Sequence, residues 1–316
     1  MAFRPPVLAF LLVAACSGGN PFGTTVAGGG GSGTDELAVP AAVAEDLRAI
    51  SYSSAGSGTL AVDLNGLVAS GTVAPFVRNA SFDVNGYQAF TYQETGLQRS
   101  YVAFVATNAR NTLLAAAVTD GGQFNRHFGG ATFARVSFYQ KPVVTPGVET
   151  GQFSYAGGYA GVMTVGTSAD PNLPPGLAPV GIYRTEGDTL INANFANSLV
   201  NGGIDNRWAL DNAGNKVDLT GDGVIDDKDM LPALALVSSP INGSGAFTGN
   251  VELFGPPDAP QSAVGTYAGL FGGIGATDVA GVIVIKPFAT NSPKEYGVFN
   301  LPRCDLAGAS PLCVPR

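Results

Sequence analysis

Oxygen-bearing side chains recur at a regular spacing in one acidic stretch of this 316-residue chain, from residue 218 to residue 229. Counted from its first aspartate, the stretch offers oxygen atoms at positions 1, 3, 5, 7, 9 and 12. The oxygen at position 7 is a backbone carbonyl, and the other five belong to side chains. The six residues are, in order, Asp218, Thr220, Asp222, Val224, Asp226 and Asp229. Gly223 at position 6 allows the sharp turn, and Ile225 at position 8 can anchor the loop in apolar surroundings. A Ca²⁺ ion takes about 6–8 oxygen ligands, so these six residues are predicted to bind calcium.

This spacing is that of an EF-hand loop, with two departures. Asp229 stands at the last position, where glutamate is usual, and the preceding stretch, residues 212–216, does not read as a helix. Both departures make the loop similar to the dockerin-type variant. We expect weak, structural calcium binding, with a dissociation constant on the order of 10⁻⁴–10⁻³ M. The alternative is an acidic, solvated turn that binds no metal.

Residues for catalysis are scarce. His127 is the single histidine, and no Gly-x-Ser-x-Gly motif supplies a serine for it to activate. Catalytic zinc needs several His or Cys ligands, and the phosphate-binding Gly-x-x-x-x-Gly-Lys-Ser/Thr loop does not occur. A pair of carboxylates could hydrolyse glycosides, which leaves a carbohydrate-active enzyme as a minor alternative. We predict no enzymatic activity and assign no catalytic residue.

The first 36 residues read as an export signal and a tether. Arg4 precedes an apolar run that is too short to span a membrane, and the run ends in Val13-Ala-Ala-Cys16. That ending resembles the bacterial lipobox, which predicts a signal peptide at 1–15 and a lipid anchor on Cys16; the alternative is an ordinary secreted protein. Ser17 in place of aspartate favours the outer membrane, and the Gly- and Ser-rich stretch 16–36 is typical of a flexible tether.

Charge and cysteine content narrow the class of protein. Without Arg4 the chain has 15 basic and 24 acidic residues, a net charge of about −9, and it lacks a basic cluster. Nucleic acid is therefore an unsuitable partner, because binding to it depends on neutralising phosphates. Besides Cys16, an even pair remains in an exported chain, and we predict a disulfide between Cys304 and Cys313.

Glycines are spread through short alternating runs, 44 in all, which is typical of strands joined by tight turns. A hairpin is predicted at residues 80–92 around Asn85-Gly86, because Asn-Gly between alternating runs is a strong turn signal. Only residues 227–237 suggest a helix. Two prolines and a loss of alternation at 142–149 indicate a domain boundary. We therefore predict a β-rich domain at 37–145, a barrel at 146–290 and a tail at 291–316. The calcium loop is predicted to be an insertion in the barrel, near 211–231.

Four fragments of the second half resemble, in order, the barrel domain of transferrin-binding protein B-like surface lipoproteins, a family that includes factor H-binding protein-like lipoproteins. They start at Gly151 (GQFSYAGGYAG), Ala193 (ANFANSLVNGGI), Ile241 (INGSGAFTG) and Tyr267 (YAGLFGGIGATDVAGV). In the last of these, Asp278 stands where the family usually has glutamate, and one extra residue lies between Gly272 and Ala276.

The resemblance implies an all-β protein, with a small N-terminal handle-like domain followed by an eight-stranded antiparallel β-barrel. It also implies an outer-membrane lipoprotein, lipid-anchored and facing the cell surface, that binds a protein or nutrient cargo without catalysis. The alternative is a structural or adhesive envelope protein that calcium stabilises.

Overall fold

The computed structural model describes residues 38–56, 58–67, 73–96, 98–108, 110–121, 126–144, 151–166, 173–254, 262–288 and 293–313. The predicted signal peptide, Cys16 and the tether lie outside these residues, as does part of the predicted domain boundary. None of the helices in the described residues is long and apolar enough to cross a membrane.

The first half of the chain forms a seven-stranded antiparallel sheet in which each strand pairs with the next along the chain. A four-residue helix, α1 (Ala41–Ala44), precedes it. The backbone N–H of Asp46 donates to the carbonyl of Gly129 at 3.1 Å, so the two ends of the sheet nearly meet. The strands are β1 (Leu47–Ser53), β2 (Thr59–Leu64), β3 (Ala74–Arg78), β4 (Gln88–Tyr92), β5 (Tyr101–Thr107), β6 (Leu113–Asp120) and β7 (Gly129–Arg135).

The second half forms a closed barrel of eight antiparallel strands. The hydrogen-bonded order is β13-β12-β11-β10-β9-β16-β15-β14, and β13 pairs with β14 to close it. A two-residue strand, β8 (Tyr139–Gln140), adds to β14 in parallel. The barrel strands are β9 (Gln152–Thr164), β10 (Ile182–Asn194), β11 (Leu199–Leu210), β12 (Leu234–Pro240), β13 (Ala246–Leu253), β14 (Ala263–Ile274), β15 (Asp278–Ile285) and β16 (Lys294–Pro302).

These two sheets confirm the all-β class, with a small β-rich domain followed by an eight-stranded barrel. The barrel interior is filled by aromatic side chains, among which Phe271 contacts Phe195 and Phe247 with ring centroids 5.1 and 5.3 Å apart. Glycine is required opposite such rings: a Cβ on Gly281 would lie 2.3 Å from the ring of Phe299. The recurring glycines thus make room for large interior side chains.

A continuous apolar core joins the two sheets. Buried residues of the first sheet, such as Phe104, belong to the same cluster as Val282 and Val298 on the outer face of the barrel. Polar contacts reinforce this junction. Tyr87 donates its hydroxyl to the carbonyl of Gly158 at 2.9 Å, and it accepts the backbone N–H of Asn300 at 2.9 Å. The two halves therefore share buried surface that neither half could cover alone.

Two local predictions are wrong. Strand β16 lies within 291–316, which is predicted as a tail, so the barrel continues past residue 290. Both faces of β16 are buried, one in the barrel and one against the first sheet, so its sequence lacks the alternation of a half-exposed strand. The helix predicted at 227–237 is a single 3-10 turn at Asp227–Asp229, and β12 follows.

The hairpin predicted at 80–92 is only partly formed. Asn85 and Gly86 make the expected turn, with φ of 51° and 79°, and Val84 bridges to Tyr87. The segment Ala80–Phe82 before the turn is a 3-10 turn rather than a strand. The amide of Asn85 instead donates to the carbonyl of Tyr159 at 2.8 Å, so this turn is held against the barrel.

Candidate functional site

The predicted calcium loop is turned in the expected way. Asp218 accepts the backbone N–H groups of Gly221 and Gly223, both at 2.6 Å, and Gly223 adopts a left-handed φ of 85°. At the other end, Asp229 accepts the N–H groups of Thr220 and Asp226, each at 3.0 Å. These bonds lower the pKa of Asp229, so its carboxylate stays ionised.

Its carboxylates, however, all bind groups of the loop itself. Asp222 accepts the N–H of Val224 at 2.9 Å, and Asp226 forms an ion pair with Lys228 at 3.0 Å. In the part of the chain that the structure describes, no group of three or more His, Cys, Asp or Glu residues is placed to hold a metal ion. The four aspartates among the six predicted ligands therefore lie in one loop but are not grouped as a metal site, and calcium binding stays a prediction.

The anchor of this loop differs from the one expected. Ile225, predicted to pack in apolar surroundings, is 47 % exposed. Leu219 and Leu231, one within and one beyond the predicted ligands, are buried instead and pack with Met163 and Leu177 in a cluster over one end of the barrel. The loop insertion thus acts as a lid on the barrel, and the apolar residue at position 8 remains at the surface.

Beneath this lid the barrel interior contains a buried ion pair. Arg207 on β11 donates to Glu295 on β16 at 2.6 Å, and both side chains are fully buried. The other oxygen of Glu295 accepts the hydroxyls of Tyr159 at 2.6 Å and Thr185 at 2.7 Å. A Cβ on Gly297 would lie 2.0 Å from the Tyr159 hydroxyl, so glycine there makes room for the network. The interior is filled by this network and the aromatic residues.

His127, the only histidine, lies at the junction of the two sheets. Burial, and to a smaller extent the charge of nearby Lys294, lower its pKa below the ordinary value of 6.5, while the carboxylates of Asp120 and Glu45 partly oppose this shift. Lys294 is itself ion-paired with Glu45, which also accepts the hydroxyl of Tyr296 at 2.7 Å. His127 thus lies near charged groups from both halves of the chain, Asp120 of β6 and Lys294 of β16.

We expect the lowered pKa of His127 to make folding sensitive to mild acid. The unfolded chain takes up a proton near pH 6.5, whereas the folded chain takes it up only at lower pH, so stability falls as the pH drops below 6.5. Replacing His127 with glutamine removes this component. Urea denaturation of both chains at several pH values measures the difference; equal pH dependence would contradict the prediction.

An open cleft of about 320 Å³ lies on the outer face of the barrel, across β9, β10, β11 and β12. The strand register places Asn192 on β10 opposite Ser154 on β9 and Asn201 on β11. Six of the nine residues that line it carry an amide or hydroxyl side chain: Gln152, Asn192, Asn194, Asn197, Asn201 and Ser238. We call this feature the amide cleft.

Two amides of this cleft are oriented by neighbouring groups. Asn194 accepts the backbone N–H of Ala196 at 3.0 Å and of Asn197 at 3.3 Å, which stabilises the β10–β11 turn. Asn192 accepts the hydroxyl of Ser154 at 2.8 Å. Their amide oxygens are thus engaged, and their NH₂ groups remain as donors. The sequence contains a signal for this row, an Asn at every second position of a strand (192 and 194), but only the register shows which face they share.

The cysteine pair is joined as predicted. Cys304 and Cys313 form a disulfide with Cα atoms 5.4 Å apart. The N–H of Cys304 donates to the carbonyl of Ser154 at 2.8 Å, and Arg303 stacks on Phe153 at 4.4 Å. The disulfide loop is therefore held beside β9, next to the amide cleft.

Comparisons with known proteins give matches at the level of structure alone. No family model matches the chain, and no curated protein does. Among solved structures, a crystal structure of a surface lipoprotein is 12 % identical over 63 % of this chain and 79 % of its own, with a TM-score of 0.39.

Transferrin-binding protein B appears among the structural matches as well. The protein from Actinobacillus pleuropneumoniae H49, in a mutant form, is 11 % identical over 63 % of this chain and 80 % of its own, with a TM-score of 0.37. An intact form with both lobes is 14 % identical over 73 % of this chain and 40 % of its own, with a TM-score of 0.35. Each of these three structures is at most 14 % identical to the chain and has a TM-score below 0.4.

Proposed function

We propose that this chain is an outer-membrane lipoprotein, anchored through acylated Cys16 and facing the cell surface, that binds a protein or nutrient cargo without catalysing a reaction. The observation that carries the proposal is that the barrel interior is filled, by the Arg207–Glu295 network and by aromatic rings. This packing favours a ligand site on the outside of the molecule, where loops and strand faces are accessible.

Export and anchoring follow from the N-terminal residues. The segment that ends in Cys16 has the order of a lipoprotein signal, and several acyl chains on one residue give durable attachment. The Gly- and Ser-rich stretch to residue 36 lets the folded part stand clear of the lipid. The disulfide between Cys304 and Cys313 agrees with an oxidising compartment.

Protease treatment of intact cells tests the anchoring and its side of the membrane. We expect the folded part to be digested from outside, and we expect a Cys16→Ser variant to leave the membrane fraction. Protection of the chain on intact cells, together with digestion after the outer membrane is opened, would place it in the periplasm and contradict the proposal.

Cargo binding is tested with the soluble domain that lacks residues 1–34. Immobilised on beads, it is expected to retain one component of the growth medium or of host fluid in a stoichiometric amount. Self-association of the domain, with no retained component, would instead identify a structural protein.

Calcium is proposed as a structural ion in the loop from Asp218 to Asp229. With a dissociation constant of ~10⁻⁴–10⁻³ M, calcium at about 10 mM adds roughly 1.4–2.7 kcal/mol to the free energy of unfolding, because it binds the folded state alone. Melting curves in calcium and in chelator measure this gain. Asp222→Ala is expected to abolish it, whereas Asp188→Ala, outside the loop, retains it. Identical melting curves of the unchanged chain in calcium and in chelator would contradict calcium binding.

A further inference from the structure

We propose that the amide cleft binds a neutral oligosaccharide. This inference rests on the proposed binding function and names a class of ligand for it. It starts from the composition of the cleft: amide or hydroxyl groups at six positions, apolar surface from Phe153 and Leu199, and no charged residue among those that line it.

The chemistry of the lining selects the ligand. Amide groups complement the hydroxyl groups of a sugar, since each hydroxyl both donates and accepts. Asn192 and Asn194 offer their NH₂ groups as donors, because their oxygens already accept hydrogen bonds. Asn197 and Asn201 make no side-chain hydrogen bond within the described residues and are available to a ligand. Leu199, which is exposed, can contact the C–H surface of a sugar ring.

The electrostatics disfavour charged ligands. Two cations belong to segments beside the cleft and are not among its lining residues: Lys141 donates to the hydroxyl of Ser198 at 3.2 Å, and Arg303 is ion-paired with Asp305 at 2.6 Å. An anion would find no unpaired cation in the lining, and an ammonium group would find no carboxylate. A lipid tail is equally unsuited, because most lining groups are polar and would lose water without gaining a partner.

The dimensions agree with a short sugar chain. The cleft volume of about 320 Å³ lies at the small end of the range for small-molecule sites, ~300–1,000 Å³. Neighbouring strands are ~4.8 Å apart, so the outward side chains of β9, β10, β11 and β12 recur at a distance close to the length of one pyranose unit. Successive sugar units can therefore contact the side chains of successive strands.

Calorimetric titration tests the proposal on the full chain, kept in a detergent without sugar groups. Maltotriose and chitotriose serve as neutral probes and sialyllactose as an acidic one. We expect saturable binding of at least one neutral probe, and no binding of the acidic probe. Asn201→Ala is expected to weaken the binding about tenfold, the loss of about one hydrogen bond.

Asn250→Ala is the matched control, because Asn250 is an exposed strand asparagine of the same barrel outside the cleft. It should leave the affinity within about twofold of the unchanged chain, and both variants should melt at the same temperature. The proposal is overturned if neither neutral probe saturates, if sialyllactose binds as tightly, or if both variants weaken binding equally. If the bead experiment retains a protein cargo but no sugar binds in the titrations, the oligosaccharide inference is overturned and the proposed cargo-binding function is not.

Discussion

Replacing Glu295 with glutamine is expected to lower the free energy of unfolding by about 3–5 kcal/mol, a large fraction of the stability of a single domain. The reason is the environment of Arg207, whose side chain is fully buried and whose only charged partner among the described residues is Glu295. Glutamine preserves the shape of the side chain and removes its charge, so the guanidinium is left in the barrel without compensation. Urea denaturation measures the loss.

A matched variant separates this effect from the loss of any carboxylate. Glu252 on β13 is half-exposed and makes no ion pair with any residue that the structure describes, so Glu252→Gln should change the free energy of unfolding by less than about 0.5 kcal/mol. A double variant, Arg207→Met with Glu295→Met, should lose less than the sum of the two single changes, because it removes both charges together. Additive losses, or an unchanged Glu295→Gln chain, would show that the pair is not coupled.

The second large effect is expected at the junction between the sheets, where Phe104→Ala should cost about 3–5 kcal/mol. Phe104 is fully buried in the core that the first sheet shares with the barrel. Because the two sheets cover each other there, we expect them to unfold together. Trp208, the single tryptophan, lies in the barrel and is 6 % exposed, so its fluorescence reports on the barrel alone.

The measurement compares two signals from one denaturation. In Phe104→Ala, the denaturation midpoint measured by Trp208 fluorescence and the midpoint measured by circular dichroism of all strands should fall to the same lower value. Val77→Ala, in the same sheet at a side chain that is 69 % exposed, should leave both midpoints nearly unchanged. A fluorescence midpoint that stays in place while the dichroism midpoint falls would mean that the sheets unfold independently.

A cooperative junction would also explain the polar groups that cross it. Asn300 on β16 donates its amide to the carbonyl of Leu113 on β6 at 3.0 Å, and Arg110 pairs with Asp278 at 2.9 Å. The second contact involves the aspartate at which the sequence departs from the family it resembles. Asp278 is buried there beside Thr112 and Thr277. Its role at the junction is therefore structural, and the shorter carboxylate is accommodated.

The local sequence pattern correctly predicted features of the site that depend on residues close together in the chain. The turn of the calcium loop is local, since Asp218 binds N–H groups three and five residues away. The contacts that determine burial are not local. Ile225, predicted to be buried, is exposed, whereas Leu219 and Leu231 pack against Met163 of β9. Strand β16 was not predicted because each of its faces is buried by a different part of the protein, so its sequence does not alternate.

The sequence by itself determined the all-β class, the disulfide pair and the spacing of the acidic loop, because each depends on residue type and short-range order. Export and anchoring at Cys16 are predictions from the same kind of local pattern. Only the tertiary structure decided that the barrel is closed and filled, that Arg207 meets Glu295, 88 residues further along the chain, and that asparagines of β10 and β11 share one outer cleft. Strand register and sheet closure set these contacts. Both are decided by the burial of whole faces, which is a property of the folded chain and not of any short segment.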